Sequence, residues 1–176
     1  HLKEFMDIGV WKSRHNGKKL ASPRDIYHEE KRGDEIIITL DSMSTDWKEW
    51  LKTVGEPNYL PDGKSVEIYC DNDRYLMIYD NQNGKYIFTL STGNNTQREI
   101  YFVSWIKTIL KKSAYCIMCR VCEANCPNGY IHMDDGRLHI DDHCVKCKKC
   151  YKVNNRCVVA ASQMLPKEDK MNGSID

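Results

Sequence analysis

A chain of 176 residues suits one or two domains, and a hydrophobic content of 41% is enough to fill an ordinary core. With 26 basic against 25 acidic residues and a formal net charge of +1, it lacks the basic excess of a typical polynucleotide-binding domain. No run of about 18 apolar residues occurs, so no membrane-spanning helix is expected.

Residues 1–34 read as an extended, polar lead-in segment. Arg14-His15-Asn16-Gly17-Lys18-Lys19 and His28-Glu29-Glu30-Lys31-Arg32 separate apolar patches too small to form a core. The chain begins with His1 rather than Met, and its first residues read like the interior of a longer polypeptide.

Residues 35–112 are expected to form a small α+β accessory domain. Glu35–Leu40 is β-branched and apolar, as a buried strand is. Asp46 offers an acceptor side chain with Glu49 three residues on, a helix-start pattern. Trp47, Trp50, Leu51 and Val54 then share one helical face, and Gly55 can close the helix. Ser65–Cys70, Arg74–Tyr79 and Lys85–Leu90, separated by Asp71-Asn72-Asp73 and Asn81-Gln82-Asn83-Gly84, predict an antiparallel meander. Cys70 reads as a small buried hydrophobe at a strand end. A helix is predicted from Thr96 to about Lys112, with Phe102, Val103, Ile106, Ile109 and Leu110 as its apolar stripe. Lys107, Lys111 and Lys112 suit its C-terminal end. No phosphate-cradling glycine loop and no Cys–His or Ser–His pairing stands out before residue 113, so no catalytic site is expected there.

Eight of the nine cysteines follow, as Cys116-x2-Cys119-x2-Cys122-x3-Cys126-Pro127 and Cys144-x2-Cys147-x2-Cys150-x6-Cys157. Spacings of two let a tight loop and the first turn of a helix direct three sulfurs at three corners of one cubane, with the fourth coming from elsewhere. A disulfide scaffold is disfavoured, because no secretory leader is visible and Cys70 would be left over. One four-thiolate zinc site from Cys119, Cys122, Cys147 and Cys150 would strand the other four cysteines. Two zinc sites would use all eight, but a third cysteine at a spacing of two and a Cys-Pro ending are not what zinc ribbons need. Between the runs, apolar alternation around Asp134-Asp135-Gly136-Arg137 predicts a hairpin. His132, His139 and His143 read as surface or hairpin residues, since eight thiolates already suffice. Tyr115, Ile117, Val121, Tyr130, Ile131 and Val145 are the candidate apolar shell of the site.

On these motifs residues 113–165 resemble bacterial-type ferredoxin domains with two [4Fe–4S] clusters, the match covering about residues 113–163. The resemblance implies cross-ligation. Cys116, Cys119 and Cys122 would share one cluster with Cys157, and Cys144, Cys147 and Cys150 the other with Cys126. Two departures fall at the second run: six residues precede Cys157 where the family has three, and Val158 stands where a proline is usual. The expected fold class is therefore α+β, a meander-plus-helix domain followed by a ferredoxin-like two-cluster domain, with residues 166–176 as a polar tail. Only Ser113-Ala114-Tyr115 separate the predicted helix from Cys116, which implies docked domains.

The function this resemblance implies is electron transfer, in a reducing cytoplasm and with a redox partner protein. Lys146, Lys148, Lys149 and Lys152 would face a fixed neighbouring domain or attract an anionic partner, with a solvated face as the plain alternative. More loosely, Trp47–Gly55, the meander and the helix feeding Ala114-Tyr115-Cys116 are similar to the C-terminal part of phosphoadenosine-phosphosulfate-reductase-like proteins that carry a ferredoxin module. That likeness implies an upstream nucleotide-binding domain, with Gly9–Arg14 as its tail, in a larger sulfur-metabolism redox enzyme. The rival reading is a nucleic-acid or protein binding module whose metal clusters are structural, using the lead-in segment and Tyr69, Tyr75, Tyr79 and Tyr86.

Overall fold

The computed structural model describes residues 26–152. Six strands form one antiparallel sheet: β1 (Tyr27–Arg32), β2 (Glu35–Leu40), β3 (Glu56–Tyr59), β4 (Ser65–Cys70), β5 (Asp73–Gln82) and β6 (Lys85–Ser91), in the order β1-β2-β6-β5-β4-β3. Local chemistry fixes the hairpins. Asn83 and Gly84 (φ 55° and 80°) and Asp71 and Asn72 (φ 51° and 69°) adopt the doubly left-handed two-residue turn that matches strand twist. The β-branched run of β2 pairs with β6, Ile36 opposite Leu90 and Ile38 opposite Phe88.

Two helices join the core on one face of this sheet. Helix α1 (Trp47–Leu51) starts where the Asp46 side chain accepts from the Lys48 amide, and it buries Trp47, Trp50 and Leu51. Helix α2 (Gln97–Tyr115) starts where Thr96 accepts from the Glu99 amide, and its predicted apolar stripe is buried. It reaches from β5, where Phe102 stacks on Tyr75 at 4.1 Å, to β1, where the Tyr115 hydroxyl accepts from the Tyr27 amide at 2.9 Å. Gly55 is required by close approach rather than by a left-handed cap: a Cβ there would stand 2.4 Å from the Tyr69 carbonyl oxygen.

After α2 come α3 (Val121–Asn125), a hairpin of β7 (Ile131–Asp134) and β8 (Arg137–Ile140), and α4 (Lys149–Lys152). The hairpin turn is Asp135-Gly136, both with positive φ, as its sequence predicts. Ile131, Met133, Leu138, Ile140, Cys122 and Cys150 belong to the same hydrophobic core cluster as the sheet and α2.

The expected fold class needs correction. The described residues are mostly a six-stranded antiparallel sheet with a small two-stranded sheet and few helices, and no two-cluster ferredoxin fold is evident among them. Three strands were expected to make the meander, but β2 adds to it through β6, and β1 and β3 close its two edges. The physical reasons are specific. β1 is almost wholly charged and offers no apolar alternation, yet its backbone pairs with β2 along all six residues. β3 contains Pro57, which an edge strand tolerates because its other side needs no donor. A pseudo-twofold ferredoxin would also need a strand leading into the first cysteine run, but α2 keeps its helical turns up to Tyr115. No helix among the described residues is long and apolar enough to cross a membrane.

Candidate metal centre

Seven of the eight candidate cysteine ligands lie in the described part; Cys157 lies outside it, as do residues 1–25 of the lead-in and the polar tail. Cys116 caps the C-terminus of α2, its amide donating to the Lys112 carbonyl at 3.0 Å. The loop before α1 fixes that end: the Ser44 and Thr45 amides both donate to the Ser113 carbonyl, and the Ser44 hydroxyl donates to the Cys116 carbonyl. Cys122 lies in α3 and Cys126 at its C-cap; Cys150 lies in α4. Cys122 and Cys150 are buried, Cys116, Cys126 and Cys144 half-buried, and Cys119 and Cys147 exposed.

The two runs fold alike. Met118 and Lys146, each two residues after the first cysteine of its run, have φ of 59° and 60°. Arg120 and Lys148, each following the second cysteine, have φ of 67° and 64°. Left-handed backbone is uncommon outside glycine and costs about 1–2 kcal/mol per residue. The same conformation at the same two positions of two separate runs therefore marks a shape that the surroundings enforce. The turn directs backbone amides at sulfur. Met118 N–H donates to Cys116 Sγ at 3.4 Å, Lys146 N–H to Cys144 Sγ at 3.4 Å, and Tyr130 N–H to Cys126 Sγ at 3.3 Å.

Short helices α3 and α4 contact each other and bring the buried thiols of both runs into one electrostatic neighbourhood. Burial pushes the Cys150 thiol up to about 12, the ammonium of Lys112 opposes that shift, and the thiols of Cys122, Cys144 and Cys147 add to it. Among the described residues no three cysteine, histidine, aspartate or glutamate side chains form a group that could hold a single metal ion. The donor set nevertheless fits sulfur-ligated clusters: seven thiol sulfurs in two matched turns, three of them receiving N–H bonds suited to a negative thiolate.

The surrounding side chains are placed as follows. His139 faces Glu49 at 3.4 Å and His143 faces Asp141 at 2.7 Å, both histidines exposed. Cys70 ends β4 half-buried, where burial and the Asp71 carboxylate raise its thiol. In the candidate apolar shell Tyr115 and Ile131 are buried and Val121 and Tyr130 half-buried, but Ile117 and Val145 are exposed. Two of the four lysines turn inward to the sheet and α2 rather than outward: Lys146 pairs with Glu56 at 2.8 Å, and Lys148 stands 5.1 Å over the Trp105 ring.

Three contributions escape sequence reasoning. Glu49 Oε1 accepts from the Ile140 amide at 2.8 Å and Lys52 Nζ donates to the Ile140 carbonyl at 2.9 Å, so α1 occupies the open edge of β8 as a neighbouring strand would. The sequence shows Glu49 only as half of a capping box. The Ser44–Thr45 loop that holds Cys116 carries no sequence signal at all. Lys112, read from the sequence as a cation suited to the C-terminal end of its helix, is 3% exposed and lies 4.9 Å over the buried Trp50 ring.

Compared with known protein families, with curated proteins and with solved structures, the chain matches none.

Proposed function

We propose that this chain is a one-electron carrier that holds two [4Fe–4S] clusters on Cys116, Cys119, Cys122, Cys126, Cys144, Cys147, Cys150 and Cys157. The observation that carries the reading is the repeated turn, left-handed at the same two offsets in each run, with an amide donating to the first cysteine sulfur. Eight thiolates in two such runs are the donor set of two cubanes, and a third cysteine at a spacing of two is not what zinc ribbons need. When bound, such clusters supply one-electron redox chemistry at their thiolate ligands.

The chain's own residues hold and tune the site. The Met118, Lys146 and Tyr130 amides stabilise negative sulfur and favour the reduced form. Burial of Cys122 and Cys150 against Ile131, Met133 and Ile140 keeps water from the inner side, while exposed Cys119 and Cys147 leave an outer side open to a partner. The partner is a redox protein or the nucleotide-binding domain of a phosphoadenosine-phosphosulfate-reductase-like enzyme, a part of the proposal that rests on the likeness of residues 47–126. A reducing cytoplasm is the compartment that suits such thiolates.

Of the four tyrosines in the rival binding-module reading, Tyr69 is exposed on β4, whereas the other three pack against aromatic neighbours. Tyr75 stacks on Phe102, and Tyr79 packs against Trp47, Phe88 and Tyr86, so these rings serve the interior.

The test is an anaerobic potentiometric titration of the reconstituted chain followed by EPR. A carrier cycles repeatedly between oxidised and reduced forms with its iron retained. A chain whose iron is lost on first reduction, or that shows no couple down to the dithionite limit, is not one.

A further inference from the structure

Between α1 and the β3–β4 hairpin lies a cleft of about 170 Å³, and none of its lining residues is a candidate cysteine ligand. Trp47 lines it, 3% exposed and packed against Tyr79 and Phe88 at ring separations of 5.0 and 5.1 Å. Tyr59 of β3 lines it too, with nearly half of its surface open to solvent. A cation already sits against these rings. Lys48 Nζ lies 5.5 Å from the Tyr59 centroid and 5.8 Å from that of Trp47. Among the described residues this exposed lysine forms no ion pair, and its ammonium rests on the two ring faces. The charges nearby have the matching sign. Asp46 accepts from the Lys48 amide at 2.9 Å, and Glu49, paired with Lys52, follows in the same turn of α1. The Tyr59 hydroxyl is pushed up to about 12, by burial first and then by these two carboxylates. Lys64, which also lines the cleft, is answered by Asp80 at 3.7 Å.

We propose that this cleft binds a small quaternary ammonium compound, caged by Trp47, Tyr59 and Tyr79, with Lys48 as the resident cation that the ligand displaces. Aromatic faces are negative, and a cation within about 6 Å of a ring centroid is attracted to them. Lys48 meets that distance at two rings at once. Its primary ammonium is strongly hydrated, and a long side chain gives up rotamer freedom to stay there. A trimethylammonium group holds its water less tightly and buries methyl groups against the same rings. The displaced lysine returns its charged head to water at little cost. The volume suits a single headgroup, which makes the ligand a small molecule rather than a length of polypeptide.

The experiment titrates the full chain with choline, and separately with the neutral alcohol that has carbon in place of its nitrogen, by ligand-observed saturation-transfer NMR. Choline is expected to bind about tenfold more tightly than the alcohol. Lys48→Ala removes the resident cation and should tighten choline about threefold, and by more than it tightens the alcohol. Asp46→Asn keeps the helix cap but loses the charge, so it should weaken choline and leave the alcohol unchanged. Tyr59→Leu should weaken choline about fivefold, with an unchanged circular dichroism spectrum. Equal affinity for choline and the alcohol, or choline binding that Lys48→Ala fails to tighten, overturns the inference. Both of those outcomes are read without Tyr59→Leu, so a folding defect in that variant does not decide the matter.

Discussion

Arg120 is a cation in left-handed backbone on the surface, and nothing but the turn between Cys119 and Cys122 asks it to be there. Its ion pair with Glu123, three residues on, is screened by solvent and contributes little. The conformation itself is the larger quantity. Arg120→Gly should therefore keep wild-type iron and sulfide, whereas the β-branched Arg120→Val should lose stability by about 1–2 kcal/mol and shed iron. Urea midpoints and sulfide content of the two reconstituted variants check this, and equal behaviour would remove the turn from the account. Cysteine spacing made these positions legible as a turn, but not which residues would be left-handed, because the demand comes from sulfur placement and not from Met, Arg or Lys.

Glu29 gives a pH dependence at the same scale. Partial burial works against its carboxylate, but hydrogen bonds from Lys107 and Tyr27, with the charges of Lys107 and Lys111, outweigh it and hold it below the ordinary range. A carboxylate lowered on folding contributes stability that is complete above its unfolded value, about 4.3, and lost as pH falls through the folded value. Glu29→Gln should thus cost about 1 kcal/mol or less at pH 7, discounted for exposure, and that difference should shrink at an acidic pH below the unfolded value. Urea unfolding at the two pH values measures it, and a difference that widened on acidification would contradict the pairing.

At the scale of elements, the hairpin β7–β8 is tied to the sheet body by α1 more than by its own strands. Glu49 and Lys52 satisfy both backbone groups of Ile140, and Lys52 also reaches Asp142 at 3.1 Å just before the second cysteine run. Glu49→Ala leaves the Ile140 amide without its charged acceptor and should cost about 1.5–3 kcal/mol. Native-state hydrogen exchange at Ile140 should accelerate with it, and an unchanged exchange rate there would show the contact to be idle. The elements themselves divide clearly into legible and illegible. The Asn83-Gly84, Asp71-Asn72 and Asp135-Gly136 turns and the stripe of α2 are local chemistry, and each formed where its residues predict. β1 and β3 are pairing partners chosen by the rest of the sheet. Tyr27–Arg32 has no apolar rhythm and Glu56–Tyr59 contains a proline, so only tertiary context makes either a strand.

Across the described residues, the sheet and α2 form a scaffold for the cysteine runs, with Cys116 at the end of α2 and Lys146 and Lys148 of the second run against Glu56 of β3 and Trp105 of α2. The expected fold class gives way to a larger antiparallel sheet, and one core cluster includes residues of that sheet, of the hairpin and of the buried cysteines. Two of the lysines read as attracting a partner, Lys146 and Lys148, instead contact Glu56 of β3 and Trp105 of α2. A near-neutral chain that binds two anionic clusters becomes net negative, so internal cations beside the cysteines are what such a site requires. The central claim is that eight thiolates hold two cubanes, and its most direct measurement is iron and acid-labile sulfide per chain after anaerobic purification. Two cubanes require about eight of each. Zinc without sulfide, or no more than about four iron and four sulfide per chain, would contradict it.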